Sequence, residues 1–364
     1  MITNSQRDSF LYAVIMAGGS GTRFWPRSKK NRPKQLLNIT GDEILLKKTI
    51  ELITPIVPAS RIKIVTTLLQ ADSVKSTVSH IPEENIITEP FGRNTAPAIG
   101  IAALFIEKDM KDAVLVVLPA DHYIEDTKTF HQTILAGAFQ ALQGDCIVTI
   151  GIPPRGPETG YGYIEAGEVT DTKNGIYAVT SFHEKPDIHT AGRFIKQGTF
   201  FWNSGIFIAR TSRMLKEIEE YLPHNYQGLM KIRASLGTDK EPDVINSVYK
   251  EMEAISIDYG VIEKSSHVLM IKGNFGWNDV GSWPSAAQYW PKDSNKHSFI
   301  GDVMSLDSSQ CIVYSPKKLV ALLGVKDLVI VEDEDALLVC SKERAQDVKK
   351  LVEMLKSKGR DEIL

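Results

Sequence analysis

The sequence predicts an α/β protein: a large unit on a mixed, mainly parallel sheet over residues 1–292, then a small β-rich module with a terminal helix over residues 293–364. Three observations carry this. From residue 12 to about residue 150, short β-branched runs take turns with stretches of helical spacing, the pattern of a parallel sheet covered on both faces. A chain of 364 residues with 43% apolar content is long enough for a large core and too long for one small domain. From Asn295 onward, polar turns separate short apolar runs.

Residues 12–16 read as the first strand. They feed directly into Gly18-Gly19-Ser20-Gly21-Thr22-Arg23, glycines that let main-chain N–H groups approach a bulky anion without Cβ interference. Arg23, Arg27 and Lys34 follow as cations suited to a polyphosphate, on a segment stiffened by Pro26 and Pro33. Two commoner glycine loops are excluded by inspection. A dinucleotide fingerprint needs a third glycine where Phe24 stands, and a Walker A loop needs Gly-Lys-Ser/Thr where Gly21-Thr22-Arg23 stands.

Gly18-Gly19-x-Gly21-x-Arg23, followed by Trp25-Pro26 and Pro33-Lys34-Gln35, resembles the signature of the sugar-1-phosphate nucleotidylyltransferases, specifically of the mannose-1-phosphate guanylyltransferases. The similarity runs motif by motif from Val14 to Trp283. The related thymidylyl- and uridylyltransferases share the glycine loop and a Glu-Lys-Pro, but match less well at Trp25-Pro26, from Arg93 to Pro97 and from Gly276 to Asp279.

Further strands are expected at 62–66, 86–88, 114–118 and 146–150, with helices at 44–53, 70–80, 96–108 and 129–142. Ligands of such sheets bind at the carboxyl ends of strands. The glycine loop, the stretch from Glu89 to Pro97, and Pro119-Ala120-Asp121-His122 should therefore converge on one cleft. Asp121 is either a turn cap or a ligand of Mg²⁺, which takes one or two protein carboxylates plus phosphate oxygens. His122 reads as structural. Asn94 or Thr95 suits a helix N-cap, and Glu89 either supports that helix start or accepts the N1 and N2 hydrogens of guanine, donors that adenine lacks.

Beyond residue 150 the helices are less regularly placed. Gly160-Tyr161-Gly162 permits close approach of a ring-shaped ligand, and Glu165 and Asn203 suit sugar hydroxyls. Lys185, fixed before Pro186, suits a phosphate monoester or is a plain turn residue. Helical spacing recurs at 215–221, 226–236 and 244–252, before a strand at 267–271. Asp279 follows, as a second metal carboxylate or the N-cap of a helix beginning near Ser282. Runs at 311–314, 319–323, 328–331 and 336–339 and a charged helix at 343–356 make up the last module, where nothing suggests chemistry.

The resemblance implies a Rossmann-like nucleotidylyltransferase domain, a short left-handed β-helix segment, and Mg²⁺-dependent transfer of GMP from GTP to α-D-mannose 1-phosphate. It implies nucleotide contacts at Gly18, Gly19, Gly21, Thr22, Arg23, Glu89, Asn94, Thr95, Ala120 and Asp121. Sugar contacts fall at Gly162, Glu165, Glu184, Lys185 and Asn203, and the metal at Asp121 and Asp279. Arg23 and Lys34, on the departing diphosphate, and Lys185, on the sugar phosphate, are the expected catalytic cations. Transfer to another hexose 1-phosphate, or a catalytically silent subunit that senses the nucleotide sugar, are the alternatives. Some relatives carry a further cupin domain with isomerase activity; the chain ends at Leu364, so transferase activity alone is expected.

A net charge of −3 gives no global basic field, so neither nucleic acid nor an anionic membrane is an expected partner. Cys146, Cys311 and Cys340 are odd in number and lack metal-type spacing. Residues 1–9 lack the apolar core of a secretory signal, and a cytoplasmic homodimer is expected.

Overall fold

The computed structural model describes residues 10–364; the polar stretch 1–9 lies outside them. The β-branched runs form β1 (Leu11–Met16), β2 (Ile62–Thr67), β3 (Ile86–Glu89) and β4 (Val114–Pro119). They are joined by α1 (Leu45–Ile53), α2 (Ala71–Thr77) and α3 (Thr95–Asp109). Then come β5 (Tyr123–Ile124), α4 (Thr127–Gln143), β6 (Ile147–Ile152), β7 (Tyr163–Asp171) and β8 (Ile176–His183). After α5 (Ile188–Gln197) and β9 (Phe200–Arg210), a helical excursion follows: α6 (Thr211–Tyr221), α7 (Pro223–Ser235) and α8 (Glu241–Glu251). β10 (Val268–Lys272), β11 (Trp277–Asn278) and α9 (Trp283–Ala286) complete the large unit.

Nine strands form one sheet in the order β3-β2-β1-β4-β9-β6-β10-β8-β7. β8 and β9 run against the other seven. Periodicity predicts the strands but not that β9, far along the chain, slides antiparallel between β4 and β6. Alternate residues of β1 serve two apolar layers. Leu11, Ala13 and Ile15 pack with α1, α2 and α4, and Tyr12 and Val14 with α3, α6 and α7. Each fully buried Ile or Leu contributes about 1.5–3 kcal/mol. α3 sits so close to α7 that a methyl group on Gly100 would lie 2.5 Å from a Leu229 methyl.

The last module stacks β12 (Ser298–Leu306), β13 (Ile312–Leu323) and β14 (Leu328–Glu332) in parallel, with β15 (Leu337–Ser341) antiparallel on β14. The runs at 311–314 and 319–323 fuse into the single strand β13. The charged helix starts later than its spacing suggests, because 342–347 is a 3₁₀ turn, and α10 spans Val348–Ser357.

The module is seated on the segment after the glycine loop. Phe24, Trp25, Trp283 and Trp290 pack there with Val329, Val331 and Val348, and the Trp25 indole donates to the Ile363 carbonyl at 2.9 Å. Arg32 pairs with Asp333 and Lys29 with Asp335, each at 2.6 Å. Arg27, grouped by sequence with the phosphate cations, is buried here instead, over the Tyr314 ring at 4.2 Å and donating to Asn38. Among the described residues no helix is long and apolar enough to cross a membrane.

Candidate active site

The carboxyl ends of β1, β3 and β4 open on one cavity of about 420 Å³, so the three strand-end motifs do meet. The glycine loop is held by its carbonyls. Gln35 Nε2 donates to Ala17 O at 2.8 Å and Gly19 O at 3.1 Å, and Ser28 Oγ donates to Ser20 O at 2.7 Å. Among the described residues no acceptor faces the main-chain N–H groups of Gly18, Gly19, Ser20 or Gly21. A loop with its carbonyls tied and its N–H groups open is built for an anion. Gly21 is irreplaceable on two counts: its φ is +61°, and a Cβ would lie 2.3 Å from that of Lys34.

Lys34 is nearly buried and ties the centre together. Its ammonium lies 2.8 Å from Asp121 Oδ2 and donates to the Asp279 main-chain oxygen at 2.7 Å. Withdrawal from water pushes the Asp121 carboxyl up, but the opposing causes, led by the charge and hydrogen bond of Lys34, outweigh it and the net shift is downward. Asp279 Oδ1 accepts from the Tyr161 hydroxyl at 2.7 Å and from the Gly281 N–H at 3.0 Å. Ser282, not Asp279, caps α9, in a reciprocal box with Ser285. Trp277 donates to His122 Nδ1 at 3.1 Å, which requires that nitrogen unprotonated; burial likewise lowers the imidazole pKa, and His122 borders both this cavity and the one adjoining it.

At one end of the cavity Glu89 is 3% exposed and its Oε1 has no hydrogen-bond partner. Burial pushes its pKa to about 8, which the nearby Tyr249 hydroxyl offsets only in part. Asn94 lies beside it at φ +67° and accepts from the Thr95 N–H at 2.9 Å, which starts α3.

At the other end Gly162 is close enough to Glu184 that a Cβ would lie 2.5 Å from its Oε2, and Glu184 pairs with Lys185. Asn203 is held at both amide atoms with one Nδ2 hydrogen to spare: Oδ1 accepts from Thr149 at 3.1 Å and the Gly205 N–H at 3.2 Å, and Nδ2 donates to Asp258 Oδ1 at 2.8 Å. Burial, then the neighbouring Glu184 charge, raises Asp258 to about 6.

Gly18, Gly19, Glu89, Asn94, Thr95, Asp121, Gly162, Glu184, Lys185, Asn203 and Asp279 all line this cavity. Gly21, Thr22, Arg23 and Lys34 line an adjoining one of about 270 Å³, which shares Asp121 and Asp279. Two expected residues line neither. Ala120 is fully buried with its N–H on Met16 O, and Glu165 sits at a bulge of β7 where Ser181 Oγ donates to its carboxylate at 2.8 Å. Two others were missed. Asp258 begins a short π-helical turn within Ser256-Ile257-Asp258-Tyr259-Gly260, a stretch whose acid was its only signal, and Lys349 reaches the second cavity from α10.

Lys34 holds Asp121 by its carboxylate and Asp279 by its main chain, and both acids border both cavities, a donor set that suits Mg²⁺. Among the described residues no group of three or more His, Cys, Asp or Glu offers a closed metal cage. Open N–H donors, cations and paired acids at the strand ends of an α/β sheet define a site for transfer between phosphates. Sequence comparison agrees: residues 12–296 match the nucleotidyl transferase family, and residues 301–355 the MannoseP isomerase/GMP-like beta-helix domain. The chain is 40% identical over 361 residues to the alginate biosynthesis protein AlgA of Pseudomonas aeruginosa, covering 96% of this chain and 73% of that one. It is 39% identical over 365 residues to a mannose-1-phosphate guanylyltransferase of Escherichia coli, covering 97% and 75%. A solved structure from Thermus thermophilus, described as a mannose-1-phosphate geranyltransferase, superposes with a TM-score of 0.83 at 33% identity over 95% of this chain and 99% of that one. The chain belongs to the nucleotidyl transferases, in the group of the mannose-1-phosphate guanylyltransferases.

Proposed function

We propose that this protein transfers GMP from GTP to α-D-mannose 1-phosphate, giving GDP-mannose and diphosphate. The observation that carries this reading is the cavity with an orphaned acid, Glu89, at one end, the sugar-type groups Glu184 and Asn203 at the other and the open N–H loop at Gly18 and Gly19, with Lys34 in the adjoining cavity. Guanine would place its N1 and N2 hydrogens on Glu89, which has an acceptor to spare. The loop N–H groups of Gly18, Gly19 and Gly21 hold the triphosphate.

A phosphate oxygen of mannose 1-phosphate attacks the α-phosphorus, and the bond to the bridging oxygen of the diphosphate breaks. The nucleophile is already an anion at neutral pH, so no general base is required and the barrier lies in bringing two polyanions into line. Lys185 takes the sugar phosphate, and Arg23 and Lys34 the leaving diphosphate. Asp121 and Asp279 would hold Mg²⁺, which when bound neutralises charge on the reacting phosphates. Tyr161 and the Gly281 N–H fix Asp279 from behind. A domain division at residues 292 and 293, a homodimer and a cytoplasmic location belong to the same proposal.

The test is a panel of four NTPs against several hexose 1-phosphates, scored by diphosphate release. GTP with mannose 1-phosphate should be turned over best. A higher kcat/KM for another pair would reassign the substrates, and tight GDP-mannose binding without turnover would make the chain a sensor.

A further inference from the structure

The second cavity is lined by Gly21, Thr22, Arg23, Lys34, Asp121 and Asp279 from the large unit, and by Lys349 from the terminal helix. We propose that Lys349 binds the departing diphosphate beside Arg23, so that the C-terminal module supplies one of the catalytic cations; this rests on the transferase reading above.

The charges in the cavity are unevenly answered. Lys34 is occupied by Asp121, whereas among the described residues neither Arg23 nor Lys349 has a carboxylate partner. The adjacent Lys350 differs: it pairs with Asp347 at 2.7 Å. Lys349 also sits in the first turn of α10, the end of a helix where a cation is electrostatically disfavoured. Asp347, the acid at that end of the helix, is taken by Arg344 and Lys350, and a polyanion in the cavity would offset the placement of Lys349. Val348, one residue earlier, is buried in one cluster with Phe24 and so anchors this turn to the segment that carries Arg23. This cavity shares Asp121 and Asp279 with the first but is lined by neither Glu89 nor Asn203, which leaves it to the departing diphosphate rather than to the base or the sugar. A guanidinium and an ammonium lining the same cavity fit a diphosphate, free or as the β- and γ-phosphates of GTP.

The experiment compares Lys349→Ala, Lys349→Arg and Lys350→Ala in both directions, forward from GTP and in reverse from GDP-mannose and diphosphate. Lys349→Ala should raise the KM for diphosphate about tenfold at low ionic strength, less than loss of a buried donor, because an exposed charge is screened, and the effect should shrink as salt rises. The KM for mannose 1-phosphate and the melting temperature should stay put. Lys349→Arg should recover most of the loss, and Lys350→Ala should behave as wild type. An unchanged diphosphate KM in Lys349→Ala, an equal effect from Lys350→Ala, or an equal rise in the KM for mannose 1-phosphate would each overturn the inference. A wild-type protein inert in both directions would overturn the transferase reading instead.

Discussion

Replacing Glu89 with Gln gives the sharpest test of the cleft, because the structure sets both the sign and the size of the effect. The folded protein holds this carboxyl at about pKa 8 against an ordinary 4.5, with burial as the main cause. Below the ordinary value the group is protonated in both states and costs nothing. As pH rises, the unfolded chain ionises first, so folded stability is lost progressively and the loss levels off above the folded pKa. At about 1.4 kcal/mol per unit, wild type should lose about 4 kcal/mol through this one group between about pH 5 and about pH 9. Glutamine keeps the shape but cannot ionise, so Glu89→Gln should not show that loss. Urea denaturation at the two pH values reads the difference directly. Parallel loss of stability in wild type and variant would mean that the buried carboxyl is not held neutral. The same residue predicts proton release on GTP binding, since an acceptor of two guanine hydrogens must be a carboxylate. Calorimetry in two buffers should show an ionisation heat for wild type and none for the variant.

Gly21→Ala should cost about 1 kcal/mol for the left-handed backbone and displace Lys34, whose Cβ would lie 2.3 Å from the new methyl. A shift of that kind should lower kcat/KM for GTP about 100-fold, and a variant within about twofold of wild type would refute the link between loop and lysine. Asp279→Asn should abolish turnover with the melting profile preserved, whereas a near-wild-type rate with Mg²⁺ removes it from the metal site. Lys185→Ala should chiefly raise the apparent KM for mannose 1-phosphate; an unchanged value makes it a turn residue.

What was legible in the sequence is what depends on local order. The strand running into Gly18-Gly19-Ser20-Gly21 and the acid after β4 are short-range patterns, and the sheet rule alone brings them to one cleft. Residues whose setting is made by distant chain were not legible. Asp258 enters the cavity because the residues before it are tied to the start of α3, Ile257 N–H donating to Thr95 Oγ1 at 2.8 Å and Ala96 N–H to Ile255 O at 3.1 Å, and because Asn203 Nδ2 donates to its carboxylate at 2.8 Å, contacts that no local spacing encodes. Lys349 belongs to a charged helix that reads as a solvated face, and only the seating of that helix on Phe24 gives it a neighbourhood. Arg27 and Glu165 are the converse: chemically suitable side chains that Tyr314 and Ser181 claim elsewhere.

The seam beneath the last module has an optical consequence. Of the 5 tryptophans, Trp25, Trp283 and Trp290 are packed into that seam, while Trp202 and Trp277 stand edge-on to Tyr161 at 5.0 and 5.3 Å beside the sugar end. Intrinsic fluorescence therefore carries two separable reporters. Phenylalanine at 202 and 277 would leave emission that tracks parting of the module from the catalytic body, and phenylalanine at 25, 283 and 290 would leave emission that tracks sugar entry.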